Sequence, residues 1–367
     1  MPADGPEVPS PAAGASPEQA RPARADARPP APLVLGTEEQ RGLEALERGA
    51  AVSLLDDRAI VCAGGADRAS FLQGMLSNDV ASLGAGEGTY ALLLTEQGKV
   101  VADLRVLVVE SALWLDVARE LRERVREALM RFIVADDVEL EDLPQAAVAL
   151  RGPGAKELLL RAAGAGAWLD GLGECSHREA QIDGIETRVA RVRDVGVEGF
   201  HLWAPDAPSA IRLERALIAL GGVPCPAAAV EAWRIAAGWP RAGVDYDAQT
   251  LAPEVPSLAR AISYRKGCYL GQEVVERVAA RGHVNRMVVG LRAAGREALA
   301  PGAAVLVDGR EVGRVTSSVS LPGGDRQRAI ATLRASAAAS GTHVVVRSEA
   351  GEVAAEVSAI PSSGSVV

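Results

Sequence analysis

The sequence predicts an α+β protein made of two related halves and a small antiparallel β domain at its C-terminal end. The halves are predicted by one order of strands and helices that occurs twice, the second copy displaced by 88 residues from Ile60 to Val148. The β domain is predicted by a change near residue 283, after which short valine-rich runs alternate with Gly and Pro turns. Such runs are typical of a barrel or a sandwich.

The composition supports two or three packed domains and excludes global disorder, because 48% of the 367 residues are hydrophobic. The net charge of −9 argues against direct nucleic-acid binding, which requires clustered positive charge. The longest uncharged run, residues 216–230, contains two prolines and is shorter than the roughly 18 apolar residues of a membrane span. We therefore expect no membrane association, and we expect a monomer.

The first 36 residues have the composition of a disordered tail. They contain nine Pro and nine Ala and no aromatic residue. Such a segment buries too little apolar surface to offset the entropy of ordering its backbone. We therefore predict that the packed domains begin after residues 1–36.

The four cysteines, at positions 62, 175, 225 and 268, show no metal-ligand spacing. No C-x-x-C motif occurs, so we predict no metal site. We expect reduced thiols in a cytoplasmic protein.

The first α+β domain is predicted over residues 37–145, with residues 233–282 returning to it, and the second over residues 146–232. A strand, a glycine turn and an amphipathic helix open each half, at residues 60–76 and 148–160. The later strands correspond in the same register: 100–109 with 187–197, and 112–115 with 200–203. A coincidence of apolar patterning is the alternative explanation.

The third domain is predicted over residues 283–361. Asp308-Gly309 is a strong hairpin signal between two of its runs. The predicted strands are 284–291, 303–307, 312–319, 329–333, 342–347 and 353–357.

The densest cluster of unusual residues lies at 265–277. Cys268 follows Arg265 and Lys266, cations that stabilise a nearby thiolate. Tyr269 offers a flat ring, and Gln272 and Glu273 offer an amide and a carboxylate suited to nitrogen heterocycles. The alternative is that Cys268 is a small core residue and that the charged residues solvate the start of a helix.

The string K-G-C-Y-L-G-Q-E at 266–273 resembles the signature of the YgfZ family, the folate-binding relatives of the glycine-cleavage T protein. Residues 58–80 and 233–243 resemble two further elements of that superfamily, and the resemblance covers roughly residues 50–360. It implies two duplicated ferredoxin-like halves and a C-terminal antiparallel β-barrel arranged around a central channel.

The resemblance also implies a function. A reduced folate, tetrahydrofolate, is expected in the channel of an accessory protein for iron–sulfur cluster assembly or repair. The expected partners are cluster-assembly proteins and iron–sulfur enzymes, including the radical enzymes that thiolate tRNA. The family's functional thiol maps onto Cys268, with Lys266 beside it.

The alternative function is aminomethyl transfer. Three sequence differences from the T protein argue against it. The T protein carries two consecutive acids where Ala102-Asp103 stand, and a pterin-gripping Glu where Val197 stands. It carries an Asp-aromatic pair where Cys268-Tyr269 stand. A scaffold that has lost folate binding is a third hypothesis.

Four further residues are candidate folate contacts. Asp103 lies in an apolar strand, where a buried carboxylate needs a polar partner or ligand, and it can also hold a proton. Tyr90 is expected in the pteridine pocket or in the core. Glu198 is the acid nearest to Val197, although adjacent strand residues face opposite ways. Arg234 is expected to reach the glutamate tail of the folate or to form a salt bridge between domains.

The segment 260–286 is locally basic although the chain is acidic. It holds two acids, Glu273 and Glu276, against six basic residues. We expect these basic residues to form a channel wall that suits a polyanionic folate tail: Arg260, Arg265, Lys266, Arg277, Arg281 and Arg286.

Overall fold

A computed structural model of the chain describes residues 33–361 apart from positions 165, 283, 324 and 325. The predicted tail lies outside the described residues except for its last four. Those four are not a free tail, because Leu33 forms a bridge with Val319 and Leu35 is buried. The tail prediction therefore extends too far: its apolar end docks on the protein.

The two halves share one order of elements. Helix α1 (Thr37–Arg48) and strand β1 (Ala51–Leu55) come before them. The first half comprises β2 (Arg58–Gly64), α2 (Arg68–Met75), β3 (Gly88–Leu94), β4 (Val100–Val108), β5 (Leu113–Ala118), α3 (Arg122–Met130) and β6 (Glu139–Leu143). The second half comprises β7 (Ala146–Arg151), α4 (Ala155–Ala163), β8 (His177–Ile182), β9 (Ile185–Asp194), β10 (Val197–Ala204), α5 (Ala207–Ala219) and β11 (Val223–Pro224).

The sheets of the two halves have matching strand orders. The first is β3-β4-β5-β2-β6, and the second is β8-β9-β10-β7-β1-β11. The extra strand, β1, pairs antiparallel with β7 from Ala51 opposite Arg151 to Leu55 opposite Ala147. Thus one strand of the predicted first-domain range, 37–145, lies in the sheet of the second half.

Each sheet packs two helices against one face. Phe71, Leu72 and Met75 of α2 pack with residues of α3 on the first sheet, as the helical spacing predicts. Leu158 and Leu159 of α4 pack with residues of α5 on the second sheet. The opposite faces of the two sheets are therefore left to meet other parts of the chain.

A linking region follows the second half and contacts the first. It contains α6 (Ala227–Ala236), two short 3₁₀ helices at 252–254 and 256–261, and α7 (Gln272–Arg281). The backbone N–H of Val100 donates to the carbonyl of Thr250, and that of Ser263 donates to the carbonyl of Ser77. In the described part of the chain, no helix is both long enough and apolar enough to cross a membrane.

The C-terminal strands form a closed antiparallel barrel, so the barrel rather than the sandwich is confirmed. In the barrel, β17 pairs back to β12. Asp308 and Gly309 both have positive φ, of 50° and 74°, as the hairpin signal predicts. The strands are β12 (Arg286–Ala294), β13 (Ala304–Val307), β14 (Arg310–Ser320), β15 (Arg326–Arg334), β16 (His343–Ser348) and β17 (Gly351–Ser358).

A buried chain of charged groups joins the two sheets. Buried His201 has Nδ1 3.4 Å from Asp116 of the first half and Nε2 3.2 Å from Asp194 of the second. Arg105 bridges the same two carboxylates, at 3.2 Å and 3.4 Å. Arg151 reaches Asp194 at 2.5 Å. We call these five residues the interface network.

The arginines keep both carboxylates of the interface network ionised. Burial alone raises the pKa of Asp116, but Arg58 at 2.7 Å and the histidine outweigh burial and hold that pKa well below its usual range. Burial likewise opposes ionisation of Asp194, and Arg151 outweighs it. Because these folded-state pKa values are depressed, their stabilisation is present above an unfolded pKa of about 3.9 and is lost as pH falls through the folded pKa.

We predict that Asp116→Asn lowers the free energy of unfolding by about 3–5 kcal/mol at neutral pH, because it leaves buried arginines without their partner. Chemical denaturation with urea measures this change. Asp142→Asn is the matched control, since Asp142 pairs with Arg122 at the surface, and we expect about 0–1 kcal/mol. The wild type should lose its advantage over the Asp116→Asn variant progressively below about pH 4. Equal costs at both positions would contradict the structural role of the network.

Candidate functional site

Asp103 is held between two tyrosine hydroxyls. Tyr90 Oη donates to Asp103 Oδ2 at 2.8 Å, and Tyr246 Oη donates to Oδ1 at 2.8 Å. Tyr90 is 8% exposed and Tyr246 is 5% exposed. Burial and the neighbouring carboxylate raise the pKa of both tyrosines well above the ordinary value, so both hydroxyls remain donors. The structure therefore brings the predicted residues Tyr90 and Asp103 together.

The position of Asp103 follows from strand alternation in β4. Ala102 and Leu104 pack into the core beneath α2 and α3, whereas Asp103 and Arg105 face the opposite side of the sheet. A bulge precedes this stretch, because Val101 is the extra residue between the pairs Leu93–Ala102 and Leu94–Val100. The acid that this chain lacks at position 102 therefore corresponds to a core-facing position.

Asp103 faces a cavity of about 430 Å³, which we call the Asp103 cavity. Its walls come from both halves and from the linking region. The charged lining residues are seven arginines and four acids: Arg58, Arg105, Arg119, Arg151, Arg234, Arg241, Arg260, Asp57, Asp103, Glu120 and Asp194. A second cavity of about 690 Å³ shares wall residues with it, among them Arg151 and Arg234.

Arg260 stacks its guanidinium on the aromatic wall of the Asp103 cavity. It lies 4.1 Å from the ring centre of Tyr90 and 5.1 Å from that of Trp239, and it pairs with Glu174. Among the described residues, Nε of Arg260 and Nε of Arg105 are buried without a hydrogen-bond partner. These donors suit an anionic or acceptor group of a ligand, and the spare lone pairs of Asp103 suit N–H donors of a ligand.

The segment that contains Cys268 lies elsewhere. Cys268 is exposed and lines neither the Asp103 cavity nor its neighbour. No hydrogen bond involves its thiol in the part of the chain that the structure describes. Gly271, at φ +80°, begins helix α7, as the sequence predicts.

Lys266 caps a helix rather than contacting the thiol. Its ammonium donates to the carbonyls of Gln73 and Leu76 at 2.6 Å and of Asn78 at 3.0 Å. These carbonyls lie at the C-terminal end of α2, where a cation is favoured. Burial lowers the pKa of Lys266 to about 8, and the negative charge of Asp79 opposes this shift. We expected Lys266 to stabilise the Cys268 thiolate, but its ammonium instead binds these three carbonyls.

The other predicted residues of the motif lie away from the Asp103 cavity. Tyr269 is buried in the core, its hydroxyl has no partner among the described residues, and burial raises its pKa to about 12. The Gln272 amide accepts from the Tyr269 N–H and donates to Glu276. Glu273 is exposed. Within the described ranges, none of the predicted contacts Tyr269, Gln272 and Glu273 lines the Asp103 cavity.

Glu198 lies on a different cavity, of about 560 Å³. It accepts from Arg191 at 2.7 Å and from Arg193 at 2.6 Å, and these bonds lower its pKa. Val197 lines the same cavity. The structure therefore separates the predicted folate contact Glu198 from Asp103.

Arg234 borders the Asp103 cavity, but its five N–H groups all donate within the protein. They reach both oxygens of Glu231, the carboxylate of Asp245, the carbonyl of Trp239 and the hydroxyl of Ser317 in β14. The side chain is 2% exposed. This geometry corrects the expected contact with a folate tail and favours the alternative, a bridge between α6 and the barrel.

The basic wall of the Asp103 cavity contains Arg260 of the predicted segment, but its other arginines lie outside residues 260–286. Of the segment 260–286, Arg260 lines the Asp103 cavity, whereas Arg265, Arg277 and Arg286 are exposed elsewhere. Tyr246 and Arg105 also line the cavity and were not among the residues predicted from the sequence. The signal for Tyr246 is the scarcity of tyrosine, since the chain has four Tyr and each carries a hydroxyl that can donate to Asp103. No group of three or more His, Cys, Asp or Glu side chains within the described ranges is arranged to hold a metal ion.

The fold and the cavity define a protein in which two linked α/β halves and a barrel carry a polar ligand cavity. The GCVT N-terminal domain family matches residues 51–266, more than half of the chain. The glycine cleavage T-protein C-terminal barrel domain matches residues 286–362. The chain therefore belongs to the glycine cleavage T-protein family.

Similar proteins agree with this family. An aminomethyltransferase from Geobacillus kaustophilus is 30% identical over 80% of this chain and 81% of its own length. A putative chloroplastic transferase from Arabidopsis thaliana is 26% identical over 87% of this chain and 73% of its own length. The glycine cleavage system aminomethyltransferase T from Bartonella henselae matches in structure with a TM-score of 0.75 and 21% identity, covering 89% of this chain and 90% of its own, which shows the fold.

We predict that Arg234→Lys lowers the free energy of unfolding by about 3–5 kcal/mol, since one ammonium cannot serve Glu231, Asp245 and Ser317 together. Arg241→Lys is the control, because Arg241 is half exposed and pairs with Glu231 at 3.4 Å; we expect less than about 1 kcal/mol there. Denaturant unfolding measures both. A stable Arg234→Lys variant with weakened folate binding would restore the tail-binding interpretation.

Proposed function

We propose that this protein binds a reduced folate of the tetrahydrofolate class in the Asp103 cavity and acts in the cytoplasm as an accessory protein for iron–sulfur cluster assembly or repair. The observation that carries the folate proposal is the Asp103 carboxylate, held by two buried tyrosines in an arginine-lined cavity. Cys268 is the proposed functional thiol.

The residues of the Asp103 cavity fit a folate. Asp103 retains acceptor lone pairs for the N–H groups of a pteridine, and the Nε groups of Arg105 and Arg260 supply buried donors without partners in the described chain. Arg119 and Arg241 are exposed at the cavity and suit the carboxylates of a glutamate tail. A volume of about 430 Å³ lies within the usual range of ligand sites, roughly 300–1,000 Å³. When bound, a reduced folate carries one-carbon units on its ring nitrogens.

The exposure of Cys268 favours the accessory role over direct chemistry on the folate. A thiol outside the folate cavity is accessible to a macromolecule, such as an iron–sulfur enzyme or a cluster-assembly protein. The thiol can carry sulfur, accept a transient cluster or form a mixed disulfide with such a partner. The resemblance of residues 266–273 to the YgfZ signature supports the same role and adds tRNA-thiolating enzymes as clients.

A second candidate function, folate-dependent aminomethyl transfer, is favoured by one observation. The retained acid, Asp103, faces the cavity, whereas Ala102 faces the core. The loss of the second acid therefore removes no carboxylate from the cavity, and Asp103 can still hold a proton next to a folate. The relatives named aminomethyltransferases agree with this candidate.

We predict saturable tetrahydrofolate binding, measured by tryptophan fluorescence, because Trp239 lines the Asp103 cavity. Asp103→Asn should weaken binding by about tenfold or more, since it removes a charged hydrogen-bond acceptor. Glu198→Gln is the matched control and should bind as the wild type does, because Glu198 lies on another cavity. A wild type without a saturable signal would leave the scaffold hypothesis.

We predict that Cys268→Ala and Cys268→Ser fail to restore tRNA thiolation in a strain that lacks the protein, yet bind tetrahydrofolate normally. Cys225→Ala is the control, because burial raises the pKa of that thiol to about 11 and keeps it protonated; it should restore thiolation. Full rescue by both Cys268 variants would refute the thiol role.

The same variants separate the two candidate functions. Methylenetetrahydrofolate formed from an aminomethyl-lipoyl carrier, abolished by Asp103→Asn and unaffected by Cys268→Ala, would establish the transferase instead.

A further inference from the structure

A second charged cleft lies between the helices α1 and α6 and the barrel strands β12 and β15. It has a volume of about 590 Å³ and shares no described lining residue with the Asp103 cavity. Three side chains of the barrel wall define it: Arg292, Arg326 and Arg328. We call it the arginine cleft.

The three arginines form no ion pair with a described residue, although Glu356 of β17 lies opposite Arg292 in the barrel register. Among the described residues, no carboxylate oxygen lies within 4.0 Å of their guanidinium nitrogens. Arg328 donates one hydrogen bond, from Nη1 to its neighbouring backbone carbonyl at 3.0 Å. This contrasts with the Asp103 cavity, where Arg105, Arg151 and Arg234 all pair with carboxylates.

The barrel register forces these like charges together. Arg292 of β12 lies directly opposite Arg328 of β15, and Arg326 is two residues from Arg328 on the same face of its strand. Like charges directly opposite on adjacent strands are destabilising. Burial, followed by repulsion from Arg292 and Arg326, lowers the pKa of Arg328. A bound anion relieves this repulsion.

The same ladder offers an internal comparison. Arg286 and Arg334 are also directly opposite partners in β12 and β15, but both are exposed and neither lines the cleft. Water screens that pair. Arg292 and Arg326 are exposed as well, but Arg328 is half-buried, and all three line the cleft opposite the helix residues.

The helix wall of the cleft carries charges of both signs, unlike the barrel wall. It contributes Glu44, Glu47 and Arg48, so the lining totals four arginines against two acids. Trp233 also lines the cleft, and its indole N–H is buried without a partner in the described chain. Donors therefore outnumber acceptors on the surface that faces a ligand.

We propose that the arginine cleft binds a multivalent oxyanion, the diphosphate group of a small phosphorylated molecule. Guanidinium groups bind phosphate oxygens through paired hydrogen bonds. Three adjacent guanidinium groups carry more positive charge than a single carboxylate balances, and a diphosphate supplies several negative charges. The proposal is independent of the folate site, because the two cavities have separate walls.

Isothermal titration of the full chain with sodium pyrophosphate at fixed ionic strength tests the proposal. We expect saturable 1:1 binding that Arg328→Gln and Arg292→Gln each weaken by about tenfold or more. Arg334→Gln is the matched control and should leave the affinity unchanged. Absence of saturable binding, or equal loss in all three variants, would overturn the proposal. If sulfate binds as tightly as pyrophosphate at the same ionic strength, the assignment of a diphosphate is wrong.

A second readout keeps the test independent of folding defects. Arg292→Gln and Arg328→Gln remove like-charge repulsion, so their thermal midpoints without pyrophosphate should not fall below that of the wild type. Pyrophosphate should raise the midpoint of the wild type and of Arg334→Gln but not of Arg328→Gln. An equal rise in all of these proteins would contradict the site.

Discussion

The buried ion pairs between the two sheets are the constraint on which the rest of the structure depends. Asp116 and Asp194 lie in different halves, and buried His201 and Arg105 connect them. Ionised carboxylates at this depth require arginines around them. Arg105 and Arg151, which meet that requirement, also line the Asp103 cavity. The contacts that join the halves therefore also place arginines in the cavity wall of an acidic protein.

The two proposed functional groups are separated in space. Asp103 lies inside a cavity with tyrosine donors, while Cys268 is exposed on a loop outside it. An enzyme that used both groups on one substrate would need them in one cavity. The observed separation instead fits a protein in which folate occupancy and thiol chemistry are distinct events. The retained, cavity-facing acid is the feature that keeps one-carbon transfer as the second candidate.

The fold was predictable to a large extent because apolar periodicity determines it locally. The repeated halves, the barrel strands and the hairpin at Asp308 all follow from such patterns. The pairing of Tyr90 with Asp103 was partly predictable, since a carboxylate in an apolar strand requires a partner. The partners of Lys266 and Arg234 were not predictable from the sequence. Long cationic side chains can reach many acceptors, and tertiary structure decides which of them lie nearby. Helix carbonyls near residue 76 and carboxylates at 231 and 245 satisfy them.

The strand β1 has a consequence for how the chain reaches its fold. It is synthesised before the whole first half, yet its partner β7 follows that half, with Ala51 opposite Arg151. On the ribosome, the first sheet can therefore be complete while β1 is still unpaired. The second sheet is completed only when β7 pairs with β1. This pairing is distant in sequence, and such long-range pairings slow folding. The second half cut out by itself would have an open position between β7 and β11, so the duplicated unit is not an autonomous one.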